Sequence, residues 1–391
     1  LQSLIDKKEI MAAVELVKQR PGEFARKLDA LLRKGSTSDT VLATVKAFGE
    51  VADNVSVPVL LQVKAHFANR GASDLRVFFP KGNVAKSYGI ENDVAPISAD
   101  ACAHVVAICD AALTKHFSER KPLGKVYVDP ALKNYLVPFS QRSASKALKT
   151  LVRGSRIDLP KNISTIRSFV YWKQAKNDRV DLDLSAMMFD ADWKYIEHIS
   201  YTNLRSHTYQ ACHSGDITSA PKGASEFIDL DIDSAVKFGA RYIVICVFSF
   251  TGQAFADLPE CFMGWMARKN PGSGEIYEPK TVENKIDIAA AGQQICIPMV
   301  LDMVAKQVIW ADIGGLAKGA IYGNVERNSE RLTMMGKGIS ELRRANLYDL
   351  FVLHGNARGA LCENAKDADT VFSVKEGITP FEMDIIMGQY L

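Results

Sequence analysis

The chain has 391 residues, of which 47% are hydrophobic and 24% charged, and its formal net charge is +3. This composition is typical of a soluble globular protein with two or three domains, and the small charge does not by itself demand a nucleic-acid or membrane partner. The longest apolar runs, such as residues 242–248, are far shorter than the roughly 20 residues of a membrane helix.

The N-terminal part of the sequence predicts helices and a few strands. Apolar residues recur at helical spacing through residues 1–70 and again through residues 100–117, whereas residues 75–80 and 124–128 are typical of extended chain. We therefore expect a helical or mixed α/β N-terminal domain over residues 1–160. Leu1 lies within a helical pattern, so we expect natural sequence to precede it.

The central part has a different pattern. From Ser164 to Asp312, short alternating or continuously apolar runs are separated by turn residues, which is the pattern of a β-sandwich. Helices return after Gly314 and Gly315. The sequence thus predicts a multidomain α+β chain, with an antiparallel β-sandwich at 161–313 and a C-terminal α/β extension at 314–391.

The cysteine pattern bears on the compartment. No two cysteines form a CxxC pair and their number is odd, which argues against a disulfide framework and a zinc site. No secretory signal opens the chain. We expect reduced thiols in a cytoplasmic protein. The residues concerned are Cys102, Cys109, Cys212, Cys246, Cys261, Cys296 and Cys362.

A D-x-D pattern marks a candidate metal site. In the run VDLDL at residues 180–184, Asp181 and Asp183 point to one face of a strand, while Leu182 and Leu184 point to the other face. Two carboxylates on one face repel each other unless a cation lies between them.

The polar loop CHSGDITSAP at residues 212–221 supplies further oxygen atoms. Asp216 offers a carboxylate, Ile217 a backbone carbonyl and Thr218 a hydroxyl, and Glu226 begins the next strand. Calcium takes six to eight such oxygens, so these residues predict a calcium site. An ordinary solvated turn remains the alternative, because Asp and Ser are common in turns. His213 is expected to fix the loop by hydrogen bonding.

Residues 180–313 resemble the tellurium-resistance TerD family of bacterial calcium-binding β-sandwich domains, and four segments within residues 180–232 carry the resemblance. The resemblance implies that Asp181, Asp183, Asp216 and Glu226 surround calcium, and that the protein is a binding or scaffold module in stress response or in tellurium or metal resistance, with protein partners. Ile217 and Lys222 depart from the family pattern, which puts a second calcium site in doubt. The segments are VDLDLSAMMF, YIEHISYTNL, ACHSGDITSAP and SEFIDLDI.

Two other signals support different functions. Lys86 follows a glycine turn that superficially resembles a phosphate-binding loop, although the spacing of that motif is wrong. A basic stripe predicted on a helix could bind nucleic acid or anionic lipid, could equally cover an acidic partner surface, or could only keep the helix soluble. The enzymatic alternative is therefore a hydrolase or nucleotide-processing activity in residues 70–160. The stripe contains Arg142, Lys146, Lys149, Arg153 and Arg156.

Overall fold

The computed structural model describes residues 1–79, 87–139, 146–147, 151–176, 178–269, 282–288, 294–315 and 325–391, without the side chains of residues 146, 147, 286, 287 and 315. Its helices are α1 Gln2–Asp6, α2 Ile10–Lys18, α3 Pro21–Lys34, α4 Ser38–Gly49, α5 Val57–Ala68, α6 Ala99–Ser118, α7 Ile232–Lys237, α8 Ser329–Ser340, α9 Leu347–Arg358 and α10 Met383–Gln389. Its strands are β1 Leu75–Phe78, β2 Tyr88–Glu91, β3 Gly124–Val128, β4 Lys146–Ala147, β5 Arg156–Asp158, β6 Thr165–Lys173, β7 Leu182–Phe189, β8 Tyr195–Ile199, β9 Arg205–Ser206, β10 Ala211–His213, β11 Ala224–Asp231, β12 Tyr242–Ser249, β13 Glu260–Arg268, β14 Val282–Asp287, β15 Ile295–Asp302, β16 Gln307–Gly315, β17 Gly359–Leu361 and β18 Thr370–Phe372.

The chain folds into two compact units, and neither is one continuous stretch of sequence. The sequence predicts three parts that follow one another along the chain. In the structure, β3 pairs in parallel with β17 and β18, so segments that lie far apart in sequence share one sheet. The first unit comprises Leu1–Asp74, Asn92–Gln141 and Arg343–Leu391, and the second comprises Leu75–Glu91 and Arg142–Leu342.

Helices α1 to α6 form most of the first unit. The apolar spacing that predicts them places Phe24 of α3 against Phe48 of α4, with ring centroids 5.6 Å apart and neither side chain exposed. Thr37 caps α4 by accepting the N–H of Thr40, and Ser98 caps α6. The predicted helices through residues 1–70 and 100–117 are confirmed.

An antiparallel β-sandwich forms the second unit. One sheet has the strand order β4-β14-β13-β6-β11-β10-β9, and the other has the order β5-β16-β15-β12-β7-β8. Every strand pair in both sheets is antiparallel. The prediction of an α+β chain with a central antiparallel sandwich is confirmed.

Helix α8 covers the outer face of the second sheet. Leu332 and Ile339 of this helix pack in one buried cluster with Met187 and Phe189 of β7. The hairpin β1–β2 pairs antiparallel, and Val77 packs against the same cluster. Strand β7 is consequently buried on both faces, and every one of its residues is buried.

The predicted basic helix through residues 142–156 is wrong in its described part. Residues 146–147 are strand β4, residues 151–155 are not helical, and Arg156 begins β5, which pairs with β16. A helical spacing of charges is overridden here by strand pairing, in which the half-buried Ile157 lies opposite the buried Val308. Trp265 of β13 and Trp310 of β16 are each 2% exposed and belong to the core of the sandwich.

Candidate metal centre

Strand β7 buries the two carboxylates of the D-x-D pattern. Asp181 directly precedes the strand and Asp183 lies within it, and each residue is only 3% exposed. Sequence periodicity places Asp183 on the face that also carries Met187 and Phe189, which α8 covers. The face of β7 that carries Asp183 is therefore buried, and so is the opposite face, which packs in the interior of the sandwich.

The loop after β10 brings a third carboxylate to this pair. Ligand oxygens of Asp181, Asp183 and Asp216 all lie within 4.8 Å of one another, and Asp216 is the exposed member. The loop turns at Gly215, whose φ is +118°, a conformation that L side chains rarely adopt. The structure thus joins three of the four predicted acidic residues into one group, which we call the acidic cluster.

Glu226 is close to the cluster but is not part of it. Its side chain is fully buried, and its two oxygens accept hydrogen bonds from the backbone N–H of Leu184 at 2.9 Å and of Ile217 at 3.0 Å. A carboxylate that accepts two backbone donors is a strong structural link. Glu226 ties the loop to β7, and its predicted place around the ion stays a prediction.

His213 fixes the same loop. Its Nδ1 accepts the N–H of Gly215 at 3.1 Å, so Nε2 carries the proton and donates to the carbonyl of Leu184 at 3.1 Å. Nε2 also lies 3.4 Å from Glu226. The predicted structural role of His213 is confirmed, because both ring nitrogens have partners within the protein.

The predicted neutral ligands lie in this loop as well. The N–H of Ile217 is bonded to Glu226, and the carbonyl of Thr218 accepts the Nε–H of Arg179 at 2.9 Å. Ligation by the carbonyl of Ile217 and the hydroxyl of Thr218 stays a prediction.

The electrostatics of the cluster favour a cation. Burial raises the pKa of Asp183 to about 8, and the negative charges of Asp181, Glu226 and Asp216 contribute in the same direction. Burial and the charge of Asp216 raise the pKa of Asp181 to about 6, against the opposing charge of Arg179. Removing these carboxylates from water is unfavourable without a positive charge beside them.

Oxygens of the cluster lack partners within the described residues. Asp181 Oδ1, Asp183 Oδ2 and the hydroxyl of Ser185 are buried without a hydrogen-bond partner there. Buried polar atoms of this kind are rare in folded proteins and need an explanation such as an ion.

The donor set fits calcium. Two oxygens that bind one calcium ion at about 2.3–2.6 Å can lie up to roughly 5 Å apart, which accommodates the 4.8 Å limit of the cluster. The three carboxylates of the cluster are hard oxygen ligands, and His213, a ligand type that zinc favours, already has partners at both ring nitrogens, so the described residues match calcium better than zinc.

Sequence reasoning missed several polar residues around the cluster. Thr251 accepts the N–H of Asp181 at 3.0 Å, and Arg179 lies within ion-pair distance of Asp181. The negative charge of Glu326 contributes to the raised pKa of Asp183. Arg179 was detectable from its place two residues before Asp181, whereas no local pattern connects Glu326 or Thr251 to the D-x-D run.

Glu326 also belongs to a hydrogen-bonded chain beside β8. The hydroxyl of Tyr195 lies 2.7 Å from Nδ1 of His198, and Nε2 of His198 lies 3.2 Å from the Glu326 carboxylate. Thr202 donates to the same carboxylate. This chain links β8 to the segment that precedes α8.

The predicted anion-binding residues receive little support. Arg142 and Lys149, the side chain of Lys146 and the Lys86 turn lie outside the described residues. The guanidinium of Arg153 donates to the backbone carbonyls of Ala311 and Asp312 and pairs with the Asp312 carboxylate at 3.3 Å. Its donors therefore stabilise the sandwich.

Two further findings concern the cysteines and the capacity of the helices to span a membrane. All seven cysteines are free thiols; four of them are buried, and Cys212 is exposed. Among the described residues, no helix combines the length and the apolar character needed to cross a lipid bilayer.

Sequence comparison identifies the domain that holds the cluster. The TerD domain matches residues 148–277, which include Asp181, Asp183 and Asp216. The chain is 28% identical over 128 residues to the tellurium resistance protein TerZ of Serratia marcescens. That match covers 29% of this chain and 66% of TerZ, so the chain spans just under two thirds of the length of this relative.

Solved structures give weaker likenesses. The chain is similar to a homologue of telluride resistance protein (TerD), SCO6318 from Streptomyces coelicolor A3(2), with 14% identity, coverage of 44% of this chain and 98% of the other, and a TM-score of 0.33. The unknown function protein SAV2460 gives 16% identity, coverage of 40% and 92%, and a TM-score of 0.33.

Proposed function

We propose that this chain, which carries a TerD domain at residues 148–277 within a longer sequence, is a calcium-binding protein of the tellurium-resistance group. The name of its relative TerZ supports a role in tellurium or metal resistance. Within that role we propose a binding or scaffold module of a stress-response assembly. The free thiols of all seven cysteines support a reducing, cytoplasmic compartment.

The observation that carries the proposal is the acidic cluster with its unpartnered oxygens. Asp181 and Asp183 are 3% exposed, each has one buried oxygen without a partner among the described residues, and Asp216 completes the group within 4.8 Å. When bound, calcium supplies the positive charge that this group lacks. Its preference for mixed carboxylate, carbonyl and water ligands matches the loop chemistry.

The residues of the chain divide the work between them. Asp183 lies in β7 and Asp181 directly precedes it, and both are buried, whereas the exposed Asp216 closes the group from a loop. Glu226 and His213 keep that loop against β7 through backbone hydrogen bonds. A loop ordered in this way presents a defined surface, and we propose that a protein partner binds there.

Calorimetry tests the proposal. Chelator-treated protein is titrated with calcium and, separately, with magnesium. We expect saturable binding of calcium and weaker binding of magnesium, which demands a smaller and stricter octahedral site. We also expect calcium to raise the melting temperature, since a ligand that binds only the folded state stabilises it.

The opposing results are equally definite. The absence of both binding heat and a thermal shift at millimolar calcium would contradict calcium binding. Stabilisation by nucleotides or phosphorylated compounds, and not by calcium, would favour the enzymatic alternative in residues 70–160. Very slow loss of calcium to a chelator, without a change in partners, would indicate a purely structural ion.

A further inference from the structure

Arg179 lies at the mouth of the acidic cluster. Its Nη2 is 3.5 Å from Oδ2 of Asp181, and its Nε–H donates to the carbonyl of Thr218 at 2.9 Å. One guanidinium therefore contacts both the strand side and the loop side of the cluster. Its side chain is 62% exposed, whereas that of Asp181 is 5% exposed.

The Arg179 guanidinium is a positively charged partner of the acidic cluster. Among the ion pairs of the described residues, its contact with Asp181 is the one that reaches the cluster. The Asp181 oxygen that it approaches is Oδ2, and Oδ1 of the same carboxylate is one of the buried atoms without a described partner. Arg179 thus satisfies only part of the negative charge.

Arg179 and a divalent ion compete for the same carboxylate. A guanidinium within ion-pair distance of Asp181 repels a calcium ion bound to that residue, and the repulsion grows as the two cations approach. Asp181 and Asp183 are buried at the start of β7, but an exposed arginine side chain changes rotamer at little cost. Movement of Arg179 relieves the conflict more easily than movement of the acids.

We propose that Arg179 is the resident cation of the metal-free site, and that it leaves Asp181 when calcium binds. The inference rests on the proposed calcium function and deepens it. Arg179 sets the calcium concentration at which the site fills, because each binding event must displace it. Its departure also breaks the contact with the Thr218 carbonyl and frees a guanidinium at the rim of the loop.

The test compares two substitutions that each remove one positive charge. Arg179→Gln removes the guanidinium that contacts Asp181, and Lys222→Gln removes a charge from the exposed turn after the same loop. We expect Arg179→Gln to bind calcium roughly three- to tenfold more tightly than the natural chain, as repulsion of a nearby divalent ion at high dielectric predicts. Lys222→Gln should change the affinity by less than about twofold, because solvent screens exposed charges.

A second readout follows Arg179 itself. In the natural chain, the NMR signal of the Arg179 Nε–H should shift and lose protection from exchange with water when calcium is added. The affinity difference should also shrink as salt rises, because ions screen exposed charges.

The outcomes separate this inference from the calcium function. If the natural chain binds calcium while Arg179→Gln binds equally or more weakly, or while the Nε–H signal stays unchanged, Arg179 is not a competitor and calcium binding stands. If none of the three proteins binds calcium, both proposals fall together.

Discussion

Asp29 and the acidic cluster are both buried or half-buried, but their surroundings are opposite. Asp29, between helices of the first unit, accepts hydrogen bonds from Arg33 at 2.5 Å, His66 at 2.9 Å and Arg70 at 2.7 Å. Burial alone would raise the pKa of Asp29, but the hydrogen bonds from these three partners outweigh burial and hold the pKa of Asp29 well below its usual value. That carboxylate is satisfied by the protein itself.

The acidic cluster of the TerD domain, in contrast, has carboxylate oxygens that no described residue satisfies. Asp183 has no ion pair among the described residues, its Oδ2 lacks a partner there, and burial raises its pKa to about 8. Burial of an acid therefore does not by itself indicate a metal site. The indicative feature is a buried acid whose neighbours are other acids.

The largest expected effect separates the two groups directly. Asp183→Asn keeps the shape of the side chain but removes its charge, so we expect calcium affinity to fall by at least ~100-fold, corresponding to about 3 kcal/mol. The matched control is Asp192→Asn, since Asp192 is 76% exposed in the turn that follows β7. Calorimetry on both variants checks this, and equal affinities would remove Asp183 from the site.

The pH dependence of calcium binding should follow the raised pKa values. Ligand carboxylates must lose their protons to bind the ion, so binding releases protons. Because the pKa is about 8 for Asp183 and about 6 for Asp181, calcium affinity should fall at least ~10-fold between pH 7.5 and 5.5. Titrations in buffers of different ionisation enthalpy measure the released protons, and a flat profile would contradict the protonation of these two acids.

The metal-free protein should show opposite pH effects from the two groups. Asp181 and Asp183 hold protons in the folded chain that the unfolded chain releases, so their contribution to stability falls as pH rises from about 4 to about 8. The pKa of Asp29 is lowered, so its contribution is present above the ordinary value of 3.8 and is lost as pH falls below it.

Substitution of Asp29 should change stability and leave calcium binding intact. Asp29→Asn removes a charge that three donors share, and we expect a loss of about 1–2 kcal/mol in the free energy of unfolding, after allowance for solvent screening. Chemical denaturation of chelator-treated protein measures this loss. Weakened calcium binding in this variant would show that the two groups are not independent.

The smallest expected effect concerns the loop. Gly215→Ala places a side chain at φ +118°, where no atom lies within 4 Å of the added Cβ, so backbone strain alone opposes it. We expect calcium affinity to fall roughly fivefold, corresponding to about 1 kcal/mol of strain. Gly239→Ala, at φ +88° and also without nearby atoms, is the control, and equal binding by both variants would show that the loop conformation does not matter.

Much of the fold and part of the site could be predicted from local patterns. The period of two in VDLDL predicts that Asp181 and Asp183 share a face, and the polar loop predicts Asp216 beside them. Helical and strand periodicity likewise locates most elements, including β3 at its bounds.

The remainder depends on packing that no local pattern records. Glu226 accepts hydrogen bonds from the backbone of Leu184 and Ile217, which no local pattern predicts. Its ligation of the ion stays a prediction. The enclosure of the acidic face depends on α8, and the contribution of Glu326 depends on the segment before that helix. The parallel sheet of the first unit joins segments that lie far apart along the chain.

A crystal structure of the protein grown with calcium tests the central claim most directly. The account predicts one peak of anomalous density among Asp181, Asp183 and Asp216, with carboxylate oxygens at about 2.3–2.6 Å from the ion and Arg179 turned away. A calcium-grown crystal in which these oxygens hold only water would contradict calcium binding. An ion bound there with Arg179 still against Asp181 would overturn only the proposed displacement of Arg179.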